Sequence, residues 1–255
     1  LDSASTERSK FNFNKAKKFV TLSIDFEKKN NSFPQLGDSY FELGHIYKNE
    51  GLLDSSLYYY DLTAQDVTFK SKLENYAYLF LQKGRIYKTQ SNYSKALHNL
   101  KKSLIIYEKL SDTINTGIVN LNIGNVFKGL NKTQNALNYY RGALYTFSTY
   151  NDEQRIGSCY NNIGNLYKQD QQYDSAFFYL YKTLDIRKKS NNIRHISYAY
   201  NNLANLHLDL NNPDSALYYI NKSLQIKFEL NNNYNNTFRV ENGVMKVSYD
   251  NYENF

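Results

Sequence analysis

Five small residues mark this chain at one fixed step: Gly44, Gly84, Gly124, Gly164 and Ala204 each stand 40 residues after the last. No other feature constrains the fold as strongly. A period sustained over most of a chain demands stacked copies of one unit, each burying its apolar face against the next. Other positions travel with this anchor. Three residues after it come Tyr47, Tyr87, Phe127, Tyr167 and His207, and four before it come Tyr40, Phe80, Asn120, Tyr160 and Tyr200. Twelve after it come Ser56, Ala96, Ala136, Ala176 and Ala216, and sixteen after it Tyr60, Leu100, Tyr140, Leu180 and Ile220.

Spacings of three and four put side chains on one face of a helix, so each unit predicts two helices. The anchor lies in the first, where the second must approach closely; the small residue twelve positions on is the matching contact. Polar turns separate the two, as in Asn49-Glu50-Gly51, Gln90-Ser91-Asn92, Asp170-Gln171-Gln172 and Asn211-Asn212-Pro213. Asp54, Ser94, Asp174 and Asp214 are expected to open the second helices, where a short oxygen side chain caps free N–H groups. With only two prolines, long helices are permitted.

This combination resembles the tetratricopeptide repeat. The family pattern of a bulky residue, Leu-Gly, an aromatic, then small and aromatic positions is met by YFELGHIY (40–47) with SLYYY (56–60). It is met again by CYNNIGNLY (159–167) with AFFYL (176–180). The period is 40 where the family's usual one is about 34, and the closing Pro is absent, which implies a longer second helix. The longer form resembles that of peptide-binding scaffolds and bacterial sensor proteins. The resemblance implies an all-α fold, a right-handed α-solenoid of stacked antiparallel helix pairs, with the first helices lining its concave face.

Residues 1–236 read as the solenoid, with units starting near 37, 77, 117, 157 and 197. Residues 1–36 read as a partial N-terminal unit, because Ala16, Val20 and Ile24 fall in the slots of Ala96, Leu100 and Leu104. Residues 237–255 leave the pattern. Asn242-Gly243 is a strong hairpin signal, and pairing Val240 with Met245 and Phe238 with Val247 puts four apolar side chains on one face. A poor helix using Val240, Val244 and Val247 is the competing reading. The chain begins at Leu1 and shows no signal-peptide pattern, so a processed or excised piece of a longer protein is expected.

The composition narrows the function. The net charge of +7 suits an acidic partner, but there is no long Lys/Arg run and no nucleic-acid motif, so no nucleic acid is expected. No stretch approaches the roughly 20 apolar residues of a membrane span. Cytoplasm and an extracytoplasmic sensor region both remain open. His45, His98, His195 and His207 lack metal-ligand spacing. Cys159, beside Tyr160 on a helix, reads as a packed thiol. His207 takes the place of a packing aromatic. No phosphate-binding loop occurs. No catalytic residue, metal or cofactor is expected, and an enzyme is not expected either.

The first helices carry the functional signal. At the position after the anchor stand Arg85, Asn125, Asn165 and Asn205; two before it, Asn122, Asn162 and Asn202; three before it, Asn161 and Asn201; four after it, Lys88, Lys128 and Lys168. The offsets −6, −3, +1 and +4 share a face distinct from the packing face at −4, 0 and +3. Each Asn amide offers one acceptor and two donors, matching both sides of a peptide group. First helices about 16–20 Å apart would grip an extended chain every five or six residues or so. Asn is abundant throughout, as NNNYNN (231–236) shows, but its joint recurrence at −2 and +1 in three consecutive units favours function. The expected role is to hold an extended, acidic peptide of a protein partner. The alternative is the ligand-sensing input domain of a bacterial histidine kinase or transcriptional regulator. The acidic, aromatic tail YDNYENF (249–255) is a candidate for self-association in a neighbour's groove.

Overall fold

The computed structural model describes residues 1–29, 36–233, 238–241 and 244–247, with side chains described for 1–29 and 36–228. The chain divides into two compact units after Gly129. The first holds α1 (Asp2–Ser9), α2 (Phe13–Lys29), α3 (Leu36–Asn49), α4 (Leu53–Gln65), α5 (Val67–Ser71), α6 (Leu73–Thr89), α7 (Tyr93–Lys109) and α8 (Thr113–Gly129). The second holds α9 (Thr133–Thr149), α10 (Glu153–Gln169), α11 (Tyr173–Lys189), α12 (Ile193–Asp209), α13 (Pro213–Asn233), β1 (Phe238–Glu241) and β2 (Val244–Val247). Within each unit consecutive helices pack as pairs: α1 on α2, α3 on α4 and α6 on α7 in the first, α10 on α11 and α12 on α13 in the second.

The 40-residue period resolves into two halves of the same length. Every helix from α6 to α12 has 17 residues, and three residues join each to the next. The middle residue of each connection is left-handed: Ser91, Ser111, Asn131, Asn151, Gln171 and Asn191 all have φ between 48° and 58°. That conformation lets the third residue turn its N–H back onto the helix just ended, as Asn92 N–H does to Tyr87 O (2.8 Å) and Asp152 N–H to Phe147 O (2.9 Å). The same third residue then opens the next helix. The side chains of Asn92, Asp112, Asp152, Asn192 and Asn212 accept from the N–H groups of Lys95, Asn115, Arg155, His195 and Ser215. Of the second helices, α7 and α13 are capped two residues earlier than expected, by Asn92 and Asn212, while α4 and α11 have no side-chain cap at Leu52 and Gln172. Asp54, Ser94, Asp174 and Asp214 sit inside the first turn, where the three carboxylates still face the positive end of the helix dipole.

One second helix departs from the expectation that it runs on. Asp66 adopts an extended ψ of 123° and its carboxylate takes the Phe69 N–H, ending α4 and starting the short α5. Phe69 is thereby turned into the core.

Helix pairing is close at the anchors. A Cβ built on Gly44 would lie 2.3 Å from the Tyr60 ring, and one on Gly164 would lie 2.9 Å from Leu180 Cγ. The small residue at Ser56 also donates its hydroxyl to Gly44 O at 2.7 Å, so the contact is polar as well as close. The core follows the repeat: Ile46, Tyr60, Leu100, Ile123, Tyr140, Ile163, Leu180 and Leu203 are all buried. Ala16, Val20 and Ile24 are buried in α2, which pairs with α1 as a helix pair of its own. β1 and β2 pair antiparallel with Phe238 opposite Val247 and Val240 opposite Met245, the register expected of the hairpin. Asn242-Gly243 and the tail 249–255 lie outside the described residues.

Candidate functional site

In the first unit, one position has a structural task that recurs. Two residues before each anchor, a side chain is bonded to the first helix of the preceding pair. Arg8 Nε donates to Glu42 Oε1 (2.6 Å), Lys48 Nζ to Gln82 Oε1 (3.0 Å) and Arg85 Nε to Asn122 Oδ1 (3.2 Å). Asn122 also donates to Ile118 O at 2.7 Å. These bonds clasp neighbouring first helices. They also bring cations together: Lys48 is held down to about 8 by burial first, then by Arg85 and Arg8. Arg85 and Lys88 are exposed, and Asn125 and Lys128 are half-buried.

The equivalent face of α3 is closed by rings. His45 is buried, its Nδ1 3.2 Å from Tyr60 Oη, and its ring lies 4.6 Å from Phe41 and stacks on Tyr78. Burial, with Lys48 and Arg8 nearby, pushes the imidazole down to about 3.

In the second unit the clasp joins two asparagines. Asn202 Nδ2 donates to Asn161 Oδ1 at 2.6 Å, and Asn165 Nδ2 donates to Asn161 O at 2.9 Å. Lys168 pairs with Asp209 on α12 at 3.1 Å. Beside this clasp lies a cavity of about 400 Å³ between α10, α11 and α12. Asn161, Asn162, Asn201 and Asn202 line it; Asn165, Lys168 and Asn205 do not. Ser158 and Tyr198, which share the −6 position, also line it. Asn205 is exposed.

Six of the lining residues were not singled out from the sequence as site residues, Arg187 and His195 among them. Arg187, on α11, is 5% exposed. Its Nη2 donates to Ser158 Oγ at 3.0 Å, and its Nη1 is buried without a hydrogen-bond partner. His195 Nδ1 is likewise buried and unpartnered. Burial lowers both groups' affinity for a proton, and Arg187 and Arg194 lower that of His195 further. The repeat does mark Arg187: it stands 40 residues after Phe147 and 80 after Tyr107, in a slot those rings fill as buried core.

Cys159 is buried and unpaired, its thiol pushed up to about 12 by burial and by Asp152. His207 stacks on Tyr219 and lies 4.9 Å from the tilted ring of Phe177, the packing role expected of it. Among the described residues no group of three His, Cys, Asp or Glu side chains converges, and no helix is long and apolar enough to cross a membrane.

This arrangement of antiparallel helix pairs, each closed at a small anchor, is the tetratricopeptide-repeat fold. Residues 155–227 match the tetratricopeptide repeat family model. Residues 155–227 are tetratricopeptide-repeat sequence, and the fold of the chain is all-α, built of stacked helix pairs. No curated protein matches the sequence. Among solved structures, it is similar to BtubC from P. vanneervenii, with a TM-score of 0.66 at 20% identity over 95% of this chain and 98% of that one. It is similar to aspartyl phosphate phosphatase F from Bacillus subtilis, with a TM-score of 0.72 at 17% identity over 82% of this chain and 56% of that one. It is also similar to a STAND signal transduction ATPase with a tetratricopeptide repeat sensor from Pyrococcus horikoshii. There the TM-score is 0.75 at 19% identity, over 89% of this chain and 35% of that one. The chain thus spans nearly all of the first and about half or less of the other two.

Proposed function

We propose that this chain is a non-catalytic peptide-binding repeat domain whose first helices hold an extended, acidic segment of a protein partner. The observation that carries the reading is the convergence of Asn161, Asn162, Asn201 and Asn202, from two successive first helices, on one cavity. Four amides in one place offer donors and acceptors for a peptide backbone without selecting its side chains. The volume of about 400 Å³ lies in the range of ligand sites. The Asn202–Asn161 bond fixes two of the amides in advance, which reduces the ordering cost of binding.

In the first unit, Arg85, Lys88, Asn122, Asn125 and Lys128 are the corresponding residues on α6 and α8. The crowding of Lys48, Arg85 and Arg8 supports an acidic ligand, since each cation there gains from a carboxylate. Asn165, Lys168 and Asn205 extend the same rows along α10 and α12.

The test is affinity selection from an acidic peptide library on the full chain, followed by titration of the enriched peptides. The double variant Asn161→Ala/Asn201→Ala should bind them at least tenfold more weakly while remaining folded, its stability lowered by about 1 kcal/mol through loss of the Asn202–Asn161 bond. Affinity should also fall as salt is raised. A selection that enriches nothing, or peptides that bind the variant as well as the parent, would remove the proposal.

A sensing role is the second reading. It is supported by the likeness to a protein whose repeats are described as a sensor. An effector joined to these repeats should then change its output when an enriched peptide is added, and an indifferent effector would count against it.

A further inference from the structure

Two second helices of the second unit carry the same kinds of side chain at the same places. Asp174, Phe178 and Lys182 on α11 recur 40 residues later as Asp214, Tyr218 and Lys222 on α13. Their spacing of four sets each triple on one ridge of its helix, an acid, a ring and a cation in order. Packing does not ask for it: Phe178 and Tyr218 are 54% and 56% exposed. The full triple is missing from α4, α7 and α9. The same positions hold Asp54, Tyr58 and Leu62 on α4, Ser94, His98 and Lys102 on α7, and Gln134, Asn138 and Gly142 on α9. On α9 the ridge is closed within the helix, where Gln134 Nε2 donates to Asn138 Oδ1 at 3.0 Å.

Each cation rests on its ring. Lys182 Nζ lies 4.6 Å from the centre of the Phe178 ring and 5.4 Å from that of Tyr160, and Lys222 Nζ lies 5.7 Å from that of Tyr218. Other charges of this unit have opposite partners. Asp185 pairs with Lys189 at 2.9 Å, and Asp209 with Lys168 at 3.1 Å. Among the described residues no ion pair includes Asp174, Lys182, Asp214 or Lys222. Within a triple the acid and the cation are about 12 Å apart along the helix, too far to meet. The two ridges belong to one surface. As second helices of successive pairs, α11 and α13 run in the same direction, and the Tyr181 and Tyr219 hydroxyls join them at 2.8 Å.

A uniformly acidic or uniformly basic partner would gain at one end of each ridge and lose at the other. A second copy of this chain would gain at both. Turned about a two-fold axis that crosses the ridges, it sets its lysines over Asp174 and Asp214, its carboxylates over Lys182 and Lys222, and its rings against rings at the centre. Such self-complementarity is what an isologous interface requires. A two-fold axis running along the helices would set like charge on like, which the same residues oppose. We infer that the ridges of α11 and α13 form a self-association surface, on which two copies of this chain pair antiparallel with Phe178 and Tyr218 at its centre. This surface is built of second helices. The peptide groove proposed above is built of first helices and shares none of these residues.

The test is sedimentation of the full chain at increasing concentration, in which the parent should pass from monomer to dimer. Lys182→Glu/Lys222→Glu makes both ridges acidic, and Asp174→Lys/Asp214→Lys makes both basic. Either change should weaken the dimer at least tenfold, and the two variants mixed in equal amounts should pair with each other. Opposite net charge would also favour that mixture, so a fourfold variant supplies the deciding arm. Asp174→Lys/Lys182→Glu/Asp214→Lys/Lys222→Glu keeps the parent's net charge and reverses each ridge. It should pair with itself as the parent does, and with the parent at least tenfold more weakly. Phe178→Ala/Tyr218→Ala should also weaken the parent dimer at least tenfold. All six side chains are exposed or half-buried, so helix content should be unchanged in every variant. The inference fails if the parent is monomeric at the highest concentration reached, or if both charge variants associate as the parent does. It fails equally if the fourfold variant stays monomeric, or pairs with the parent as readily as with itself.

Discussion

Asn202 on α12 donates its side-chain N–H to the side-chain oxygen of Asn161 on α10, at 2.6 Å. The two residues sit at different offsets from their anchors, −2 and −3, yet they meet because each first helix faces the next. Arg8–Glu42, Lys48–Gln82 and Arg85–Asn122 show the same relationship with other residues. Position −2 thus serves the stack whatever it also serves in binding. Asn202→Ala removes the clasp and leaves the Asn161 oxygen without that donor. The expected loss is about 1 kcal/mol, read as a lower denaturation midpoint in urea at an unchanged slope. An unchanged midpoint would mean that water replaces the bond without cost.

The anchor glycines should differ in how far they tolerate a methyl group. Gly44→Ala drives Cβ to 2.3 Å from a fully buried Tyr60 ring, and should cost about 1–3 kcal/mol or more. Gly164→Ala meets the flexible Leu180 at 2.9 Å and should cost less. Gly142 is the control. It lies in α9 with nothing within 4 Å of an added Cβ, so Gly142→Ala should stabilise by about 0.5–1 kcal/mol. Equal losses at all three would contradict the close-approach account.

Stability should fall in acid in part through His45. Its imidazole is held at about 3, below the ordinary 6.5, by burial and then by Lys48 and Arg8. Between these two values the unfolded chain binds a proton that the folded chain refuses. Stability is therefore full above pH 6.5 and declines as pH falls toward 3, by up to about 1.4 kcal/mol per pH unit from this group. His195 and His207 are lowered as well and add in the same direction. His45→Asn, which places the residue of later repeats at this position, isolates the term. The variant's stability should approach and then overtake the parent's on acidification. Parallel pH profiles would assign the acid sensitivity elsewhere.

Cys159 reports opening of the second unit. It is buried, and its thiol is pushed up to about 12, so little thiolate is present and none is accessible. A thiol reagent at mildly alkaline pH should leave the native chain unmodified while reacting at once in concentrated guanidinium. Rapid modification of the native chain would show that α10 opens readily.

Much of this was legible in the sequence because the repeat is a packing rule. Gly44, Gly164, Tyr60 and Leu180 recur at fixed offsets since two helices can approach only where one side chain is absent. The same rule located Ala16, Val20 and Ile24 in the core. The caps expected at Ser94 and Asp214 were misplaced by two residues because Asn92 and Asn212 do two tasks at once. Each closes one helix through its N–H and opens the next through its side chain, and composition alone does not distinguish that from a first-turn Asp. At the site, the rows of Asn were visible. Their division was not: Asn161, Asn162, Asn201 and Asn202 line a cavity, while Asn165 bonds back to its own helix.

The sequence by itself determined the period, the helix pairs, the anchors and which face of each first helix is polar. These follow from local geometry, because helix periodicity and the volume of a side chain act between near neighbours. Only the tertiary structure decided which polar groups satisfy one another and which do not. Arg187 reads as one more surface cation along the chain. It becomes a buried, half-partnered guanidinium only when α10, α11 and α12 come together, because burial and hydrogen bonding belong to the space between helices.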